Sequence, residues 1–393
     1  MLLRTPGRPS VALISDRTSL PRFWATVWLT GLGGAGKSEN TQKARLRHIG
    51  AFYEACDARY GPDALDRAIG GGHVNAVLAM LGDFYLTVST IQSPDSWDVS
   101  RWEAVRAFSK AVALLLTPWD AAWNVVPHYL ESLGEIRRGD EGKFRFVRAL
   151  PDLVLDELLA IAHPESELNP FKDERVRWRN WLIVHLLLLG GLRRGESLLL
   201  QVDSLKHDVD RVTGQLIYWL DVTTTEYEDE RATKPSIKTA ESHRQIPVLS
   251  DLVAIYEHYV NEMRVSDGDV PFLLTSARSS ALSAESVTKM FEQYTAALSP
   301  VAYARFYECT GGKRHISPHD LRHTSATARY ALFMAQEDGS KELTLQRMRA
   351  FFGWSVTSKM PELYAKAAIQ DDLLRSWNDL FDKRILRLRA GNQ

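Results

Sequence analysis

Between residues 41 and 127 apolar side chains recur at three- and four-residue spacing, in LRHIGAFYEA, HVNAVLAMLGDFYLTVS and WEAVRAFSKAVALLLTPW. That period places them on one stripe of an α-helix and commits the stretch to a small helical bundle rather than a sheet. The breaks fall at GPD (61–63), GGGH (70–73) and SPDS (93–96), all turn-forming runs. A polar, charged segment, GEIRRGDEGKFRF, then separates this bundle from a second apolar region that begins near Leu150. A chain of 393 residues exceeds what one core usually organises, so two domains are expected.

The second region predicts two helices, PDLVLDELLAIA and DERVRWRNWLIVHLLLL, the latter stopping at Gly190 and Gly191. QLIYWLDVT and RQIPVL are rich in β-branched and aromatic residues and read as strands. EYEDERATKPS is expected to be a long hairpin connection between them. A helix (DLVAIYEHYVNEM), a short strand (PFLLT), a helix from Ser283 and three helices over 318–334, 343–352 and 361–380 complete the expectation. The fold class is therefore mainly α with a small β-sheet (α+β). The predicted division is a basic N-terminal arm (1–37), a helical domain (38–135), a linker (136–150) and a second domain with a C-terminal helix (151–393).

Composition, 45% apolar and 25% charged, is that of a soluble globular chain. The longest apolar run, WLIVHLLLLGGL, is short for a membrane span and holds His185, so no membrane partner is expected. The N-terminus shows no clean signal-peptide core, and Cys56 and Cys309 are too few for a disulfide framework. A reducing cytoplasm is the expected compartment. Net charge is −1, yet residues 1–50 hold eight Lys and Arg against Asp16 and Glu39, and the stretch FDKRILRLRAGNQ is basic again. A nucleic-acid partner needs such a local basic surface rather than a basic total, although solvated helix faces would look the same.

The residues that point to chemistry centre on SPHDLRHTSAT. Ser317 suits an N-cap and Pro318 the first helical position. His319, Arg322 and His323 then share one face at a helix N-terminus, an end that favours an anion. Tyr364, some forty residues on, is a nucleophile that such a pair could serve. Arg193 follows the helix end in GGLRRGESLLL, and Lys238 lies in SIKTAESHRQIPV with Lys234 as the weaker candidate. The i, i+4 spacing of His319 and His323 also fits zinc, but the residue after the first His is Asp320 rather than Glu and no third ligand is evident. GLGGAGKS (31–38) matches the P-loop pattern. The polar ENTQKARLRH behind it lacks the apolar helix that a nucleotide site requires, which favours a flexible loop before a basic helix capped by Ser38 or Asn40.

In order the chain carries Arg193, Lys238, His319, Arg322, Trp354 and Tyr364, a series that resembles the tyrosine recombinases (phage-type integrases). Gly190-Gly191-Leu192-Arg193-Arg194-Gly195-Glu196 is similar to the family's Thr/Gly-Gly-Leu-Arg-x-x-Glu, and the match singles out Arg193 over Arg194, with Glu196 as a structural partner. Lys238-Thr239, Ser242, Arg244 and Pro247 fit its Lys-Thr-x-x-Ser-x-Arg-x-x-Pro hairpin, and His319 to Thr324 fit His-x-Leu-Arg-His-Thr. Trp354 stands where Leu-Gly-His-Ser-Ser has its His. The step from Trp354 to Tyr364 is ten residues, one more than the family's nine.

This resemblance implies a helical core-binding (SAM-like) domain at 38–135 and a tyrosine-recombinase catalytic domain at 151–393. It implies metal- and ATP-independent cleavage and rejoining of DNA through a 3′-phosphotyrosine, with no cofactor. In that scheme Tyr364 attacks, Arg193 and Arg322 bind the phosphate oxygens, His319 takes or relays the proton, Trp354 donates a hydrogen bond and Lys238 protonates the leaving oxygen. The implied partners are double-stranded DNA, a homotetramer on the DNA synapse, and accessory DNA-bending or directionality factors. The implied setting is a mobile genetic element acting at the nucleoid. A type IB topoisomerase-like nicking-closing enzyme and a non-catalytic DNA-binding protein of the same fold are the alternatives.

Overall fold

The computed structural model describes residues 2–3, 11–32, 39–92, 94–137, 149–231, 233–237, 240–265, 270–336, 340–366 and 369. Two compact units emerge, Met1–Phe144 and Arg145–Gln393. Lys238, residues 33–38 of the P-loop-like stretch, most of the expected linker and the chain after 369 lie outside the described residues.

The first unit begins with two short antiparallel strands, β1 (Leu2–Leu3) and β2 (Val11–Ala12). Helices follow: α1 (Phe23–Val27), α2 (Glu39–Tyr60), α3 (Ala64–Gly70), α4 (Val74–Ser89), α5 (Ser96–Leu116) and α6 (Val125–Leu133). The helical period sets the core. Leu46, Ile49, Phe52, Tyr53 and Cys56 of α2 face Trp102, Val105, Phe108 and Val112 of α5. The Asp95 carboxylate accepts from the N–H groups of Trp97 and Asp98, and Asp98 accepts from Asp95 N–H, which fixes the start of α5. This core starts earlier than residue 38. Ala25, Trp28 and Leu29 are buried in it, and the Arg22 guanidinium is buried between Asp57 and Asp63 and over the Tyr53 ring. The apolar pattern of FWATVWL draws residues 22–29 into the bundle.

The second unit is organised around α8 (Glu174–Leu188), whose Leu182, Ile183, Val184, Leu186 and Leu187 are fully buried. A helix apolar on most of its sides must be central, and each such side chain contributes roughly 1.5–3 kcal/mol by leaving water. Around it lie α7 (Asp152–Ala162), α9 (Arg194–Leu199), α10 (Ser250–His258), α11 (Ala284–Ala296), α12 (Pro300–Cys309), α13 (Pro318–Gln336) and α14 (Lys341–Phe352). An antiparallel sheet of order β3-β4-β5 joins Leu205–Val209, Leu216–Val222 and Arg244–Val248. Leu205 pairs with Leu220 and Leu220 with Ile246, which sets the register with Leu220 and Ile246 fully buried. The α+β class holds: helices dominate and the sheet is small.

Four details depart from expectation. PFLLT forms no strand: Phe272 makes an isolated bridge to Gln201 and Thr275 one to Ala281, while Phe272, Leu273 and Leu274 are buried. An apolar run of that length fills a core as readily as it extends a sheet. Helix α12 and strand β3 were not expected from the sequence. The charged connection after β4 is partly interior, since Asp229 and Arg231 are both buried.

Candidate active site

Arg193 sits at the N-cap of α9, where the Glu196 carboxylate accepts its backbone N–H at 2.9 Å. Two residues earlier Gly191 has φ +58°, and a Cβ there would meet the Phe352 ring at 2.5 Å. Glycine is required on both counts. The tight turn presents the Gly191 carbonyl to Arg322, whose Nη1 donates to it and whose Nη2 donates to the Phe352 carbonyl at 2.6 Å. Gly353 (φ +59°) ends α14 and its carbonyl accepts from Arg193 Nη2 at 3.4 Å and from the Ser242 hydroxyl at 3.3 Å. The ends of α8 and α14 and the start of α9 thus meet at the two arginines.

Glu196, 1% exposed, is the hub. It pairs with Arg193, with Arg244 at 3.0 Å and with Arg322 at 3.6 Å. Burial alone would raise its pKa and is the largest single influence. Arg244, Arg322 and Arg193 together outweigh it and hold the carboxyl below its ordinary value. Arg244 is fully engaged: it also donates to the carbonyls of Phe351 (2.7 Å) and Ser242 (2.8 Å) and braces β5 against α14. Among these groups three guanidiniums face one carboxylate. The excess charge is felt by Arg322, 2% exposed, whose pKa is lowered to about 9 by burial and then by Arg193. An anion placed here would relieve that repulsion. The Arg193 side chain is 25% exposed and gives such an anion its approach.

Helix α13 carries the histidines. Its first turn is tied by Asp320, which accepts from the Ser317 N–H (2.8 Å), the Ser317 hydroxyl (2.7 Å) and Lys313 Nζ (2.5 Å). Ser317 was expected to cap through its own oxygen, but its hydroxyl serves as donor because the Asp320 carboxylate is the stronger acceptor. His319 is exposed and its ring meets that of His323 edge-on at 4.1 Å between centroids. Loss of water on the side facing the protein, then Arg322, lowers the His319 pKa. Among the described residues no third His, Cys, Asp or Glu joins these two in a metal-binding group.

Tyr364 lies in a helical turn over 360–366 and is 1% exposed. Trp354 stacks on it at 5.4 Å and 10° between planes, and Phe352 stacks on Trp354 at 4.8 Å and 18°. Arg322 lies over both Phe352 and Trp354, at 5.1 and 5.7 Å. Burial raises the Tyr364 pKa, against the pull of Arg322 and Arg193. Its hydroxyl hydrogen-bonds to His323 Nδ1 at 2.5 Å, not to His319. The structure therefore brings together Arg193, Arg322, His319, Trp354 and Tyr364. Three participants beyond the expected set emerge: His323 on the phenol, Arg244 and Ser242 on the arginine turn. The sequence signal for His323 was its place one helical turn after His319; for Arg244 and Ser242 it was their match to the hairpin pattern.

The described geometry defines a mainly helical domain that gathers guanidinium, imidazole and phenol groups around a local excess of positive charge. Residues 155–338 match the phage integrase family. The matched segment includes Arg193, Lys238, His319 and Arg322 and stops before Trp354 and Tyr364. Among solved structures, XerA recombinase is 16% identical, with 90% of this chain and 96% of that one covered and a TM-score of 0.37. A lambda integrase dimer bound to a COC′ core site is 15% identical, covering 88% and 77%, with a TM-score of 0.45. XerH site-specific recombinase bound to palindromic difH substrate, in a post-cleavage complex, is 14% identical, covering 91% and 94%, with a TM-score of 0.44. No curated protein sequence matches the chain. Among the described residues no helix is long and apolar enough to cross a membrane.

Proposed function

We propose that this protein is a site-specific DNA recombinase that cleaves and rejoins DNA through a phosphotyrosine at Tyr364. The observation that carries the reading is the excess of guanidinium over carboxylate at Arg193, Arg244, Arg322 and Glu196, with a phenol one aromatic plate away. A phosphodiester is the anion that both satisfies the charge and offers the phenol an electrophile.

In this reading Arg193 and Arg322 hold the two non-bridging oxygens with planar forks that stay charged at working pH. The Tyr364 oxygen attacks phosphorus, its proton is taken or relayed by His319, and the P–O5′ bond breaks. The departing 5′ oxygen takes a proton from Lys238, which the sequence places on the β4–β5 connection. The ester bond is kept in a 3′-phosphotyrosine, and a 5′-hydroxyl from a second duplex reverses the attack. A free tyrosine ionises near pH 10, and burial raises that further here, so the phenol reacts only with the arginines beside it turned toward phosphate. The buried Tyr364 also requires the segment after Gly353 to shift before a duplex can reach it. Double-stranded DNA, four protomers on a synapse, accessory bending or directionality factors and a nucleoid setting belong to the same proposal.

A duplex nicked beside the cleavage position traps the intermediate, because the short leaving strand diffuses away. Wild type should accumulate a covalent protein–DNA species and Tyr364→Phe none. Absence of any covalent species from wild type on its cognate site would overturn the reading. Strand exchange between two duplexes separates recombination from simple nicking and closing.

A further inference from the structure

The hydroxyl of Tyr364 has a defined partner in His323, a residue given no role in the chemistry above. The two are 41 positions apart in sequence, yet Nδ1 of His323 lies 2.5 Å from the phenol oxygen. Their rings are 5.7 Å apart and tilted by 44°. The imidazole is itself confined. It is half-buried on α13, and the His319 ring meets it edge-on at 4.1 Å. The phenol is confined by the face of Trp354. Two side chains restrained in this way fix the direction of the hydroxyl, since rotation about the C–O bond is the one freedom left to it.

We propose that His323 is a positioning residue for the nucleophile: its Nδ1 accepts the hydrogen bond of the Tyr364 hydroxyl and sets the direction of that oxygen. The inference rests on the recombinase reading and deepens it. The phenol donates, so His323 is neutral with its hydrogen on Nε2. Burial and the neighbouring His319 lower its pKa to about 4, which keeps the ring neutral at working pH; the hydrogen bond from the phenol then leaves the imidazole hydrogen on Nε2. The same property argues against His323 as the base that removes the phenol proton. Proton transfer from a buried phenol to so weak a base is disfavoured about tenfold for each pKa unit between them. The orientation is therefore the contribution, and a misdirected nucleophile loses about 10²-fold in rate.

The test compares His323→Leu, which removes the acceptor, with His323→Asn, whose side-chain oxygen can replace it but cannot take a proton. Single-turnover cleavage of the nicked duplex is measured with DNA affinity and melting temperature beside it. The expected result is a loss of about 10²-fold for His323→Leu, recovery to within about tenfold of wild type for His323→Asn, and unchanged DNA affinity for both. Equal cleavage by His323→Leu and wild type overturns the inference. So does an Asn variant as slow as Leu with the pH–rate profile of both flattened, which would make His323 the proton acceptor.

A second readout needs neither activity nor a folded Leu variant. The ¹⁵N resonance of His323 Nδ1 should move by several ppm on Tyr364→Phe, as an acceptor loses its donor; an unmoved resonance overturns the inference. If wild type forms no covalent species, the recombinase reading fails, and the ¹⁵N shift still decides whether His323 holds the phenol.

Discussion

Two buried arginine centres in the second unit differ in their charge balance, and the difference separates structure from function. At the first, Arg231 forks onto Asp229, donates to the carbonyls of Leu198 and Leu282 at 3.0 Å each, and lies over Phe272 at 4.3 Å. One guanidinium meets one carboxylate and its donors are used on protein. At the second, Arg193, Arg244 and Arg322 share Glu196. A buried pair that is balanced and fully hydrogen-bonded is a closed brace. A centre with more cation than anion is open to a ligand of the missing sign.

The largest expected effect is at the brace. Arg231→Met strands Asp229 in the interior and should cost about 3–5 kcal/mol of stability, read by urea unfolding. The folded fraction should cleave DNA at the wild-type rate. Next comes Arg193→Ala, which removes one preorganised donor and should slow cleavage about 10²–10³-fold with little change in the unfolding midpoint. If Arg231→Met slowed cleavage by the folded protein as much as Arg193→Ala does, the contrast between the two centres would fail.

A smaller effect separates them by ligand. A phosphate-bearing duplex at about a hundred times its dissociation constant should stabilise wild type by about 2.7 kcal/mol. Arg193→Ala should lose most of that gain, whereas Asp229→Asn should keep it relative to its own lower baseline. Calorimetry with and without duplex reads the difference.

The smallest effect is in pH. Glu196 and Asp229 are both held below their ordinary values of 4.5 and 3.8. For each, burial pushes upward and the guanidiniums and hydrogen bonds outweigh it. A depressed carboxyl contributes stability above its unfolded pKa and loses it as pH falls through the folded pKa. Wild type should therefore weaken steeply below about pH 4.5, and Glu196→Gln should have a flatter acid limb, as followed by urea midpoints between neutral and acid pH.

Much of this arrangement was legible in the sequence. The helical period of the first unit, the apolar α8 and the β-branched runs of β4 and β5 announced themselves because local pattern and burial agree there. His319 and Arg322 could be picked out by their spacing and Arg193, Trp354 and Tyr364 by resemblance to the family's motifs, and these five side chains lie near one another in the fold. Lys238 lies outside the described residues.

What the sequence hid has physical causes. β3 (LKHDV) is a polar edge strand, with Lys206, His207 and Asp208 masking its character. α12 leaves Val301, Tyr303 and Tyr307 exposed, so its pattern points to no core. Asp229 and Arg231 look like solvated charge inside EYEDERATKPS until the fold supplies Leu198, Leu282 and Phe272 around them. Arg22 looked like part of a basic arm because its partners Asp57 and Asp63 are supplied only by the fold. His323 was visible as a helix neighbour of His319, but its contact with Tyr364 exists only in three dimensions.

The charge excess at Glu196 serves, in the proposed reaction, one phosphodiester with Tyr364 as its attacker. The most direct measurement is peptide mapping of the adduct trapped on a nicked duplex, by mass spectrometry after digestion of protein and DNA. The expected product is a nucleotide 3′-phosphate attached to Tyr364, absent in Tyr364→Phe and strongly reduced in Arg193→Ala. An adduct on another tyrosine, or one that forms undiminished without Arg193, would contradict it.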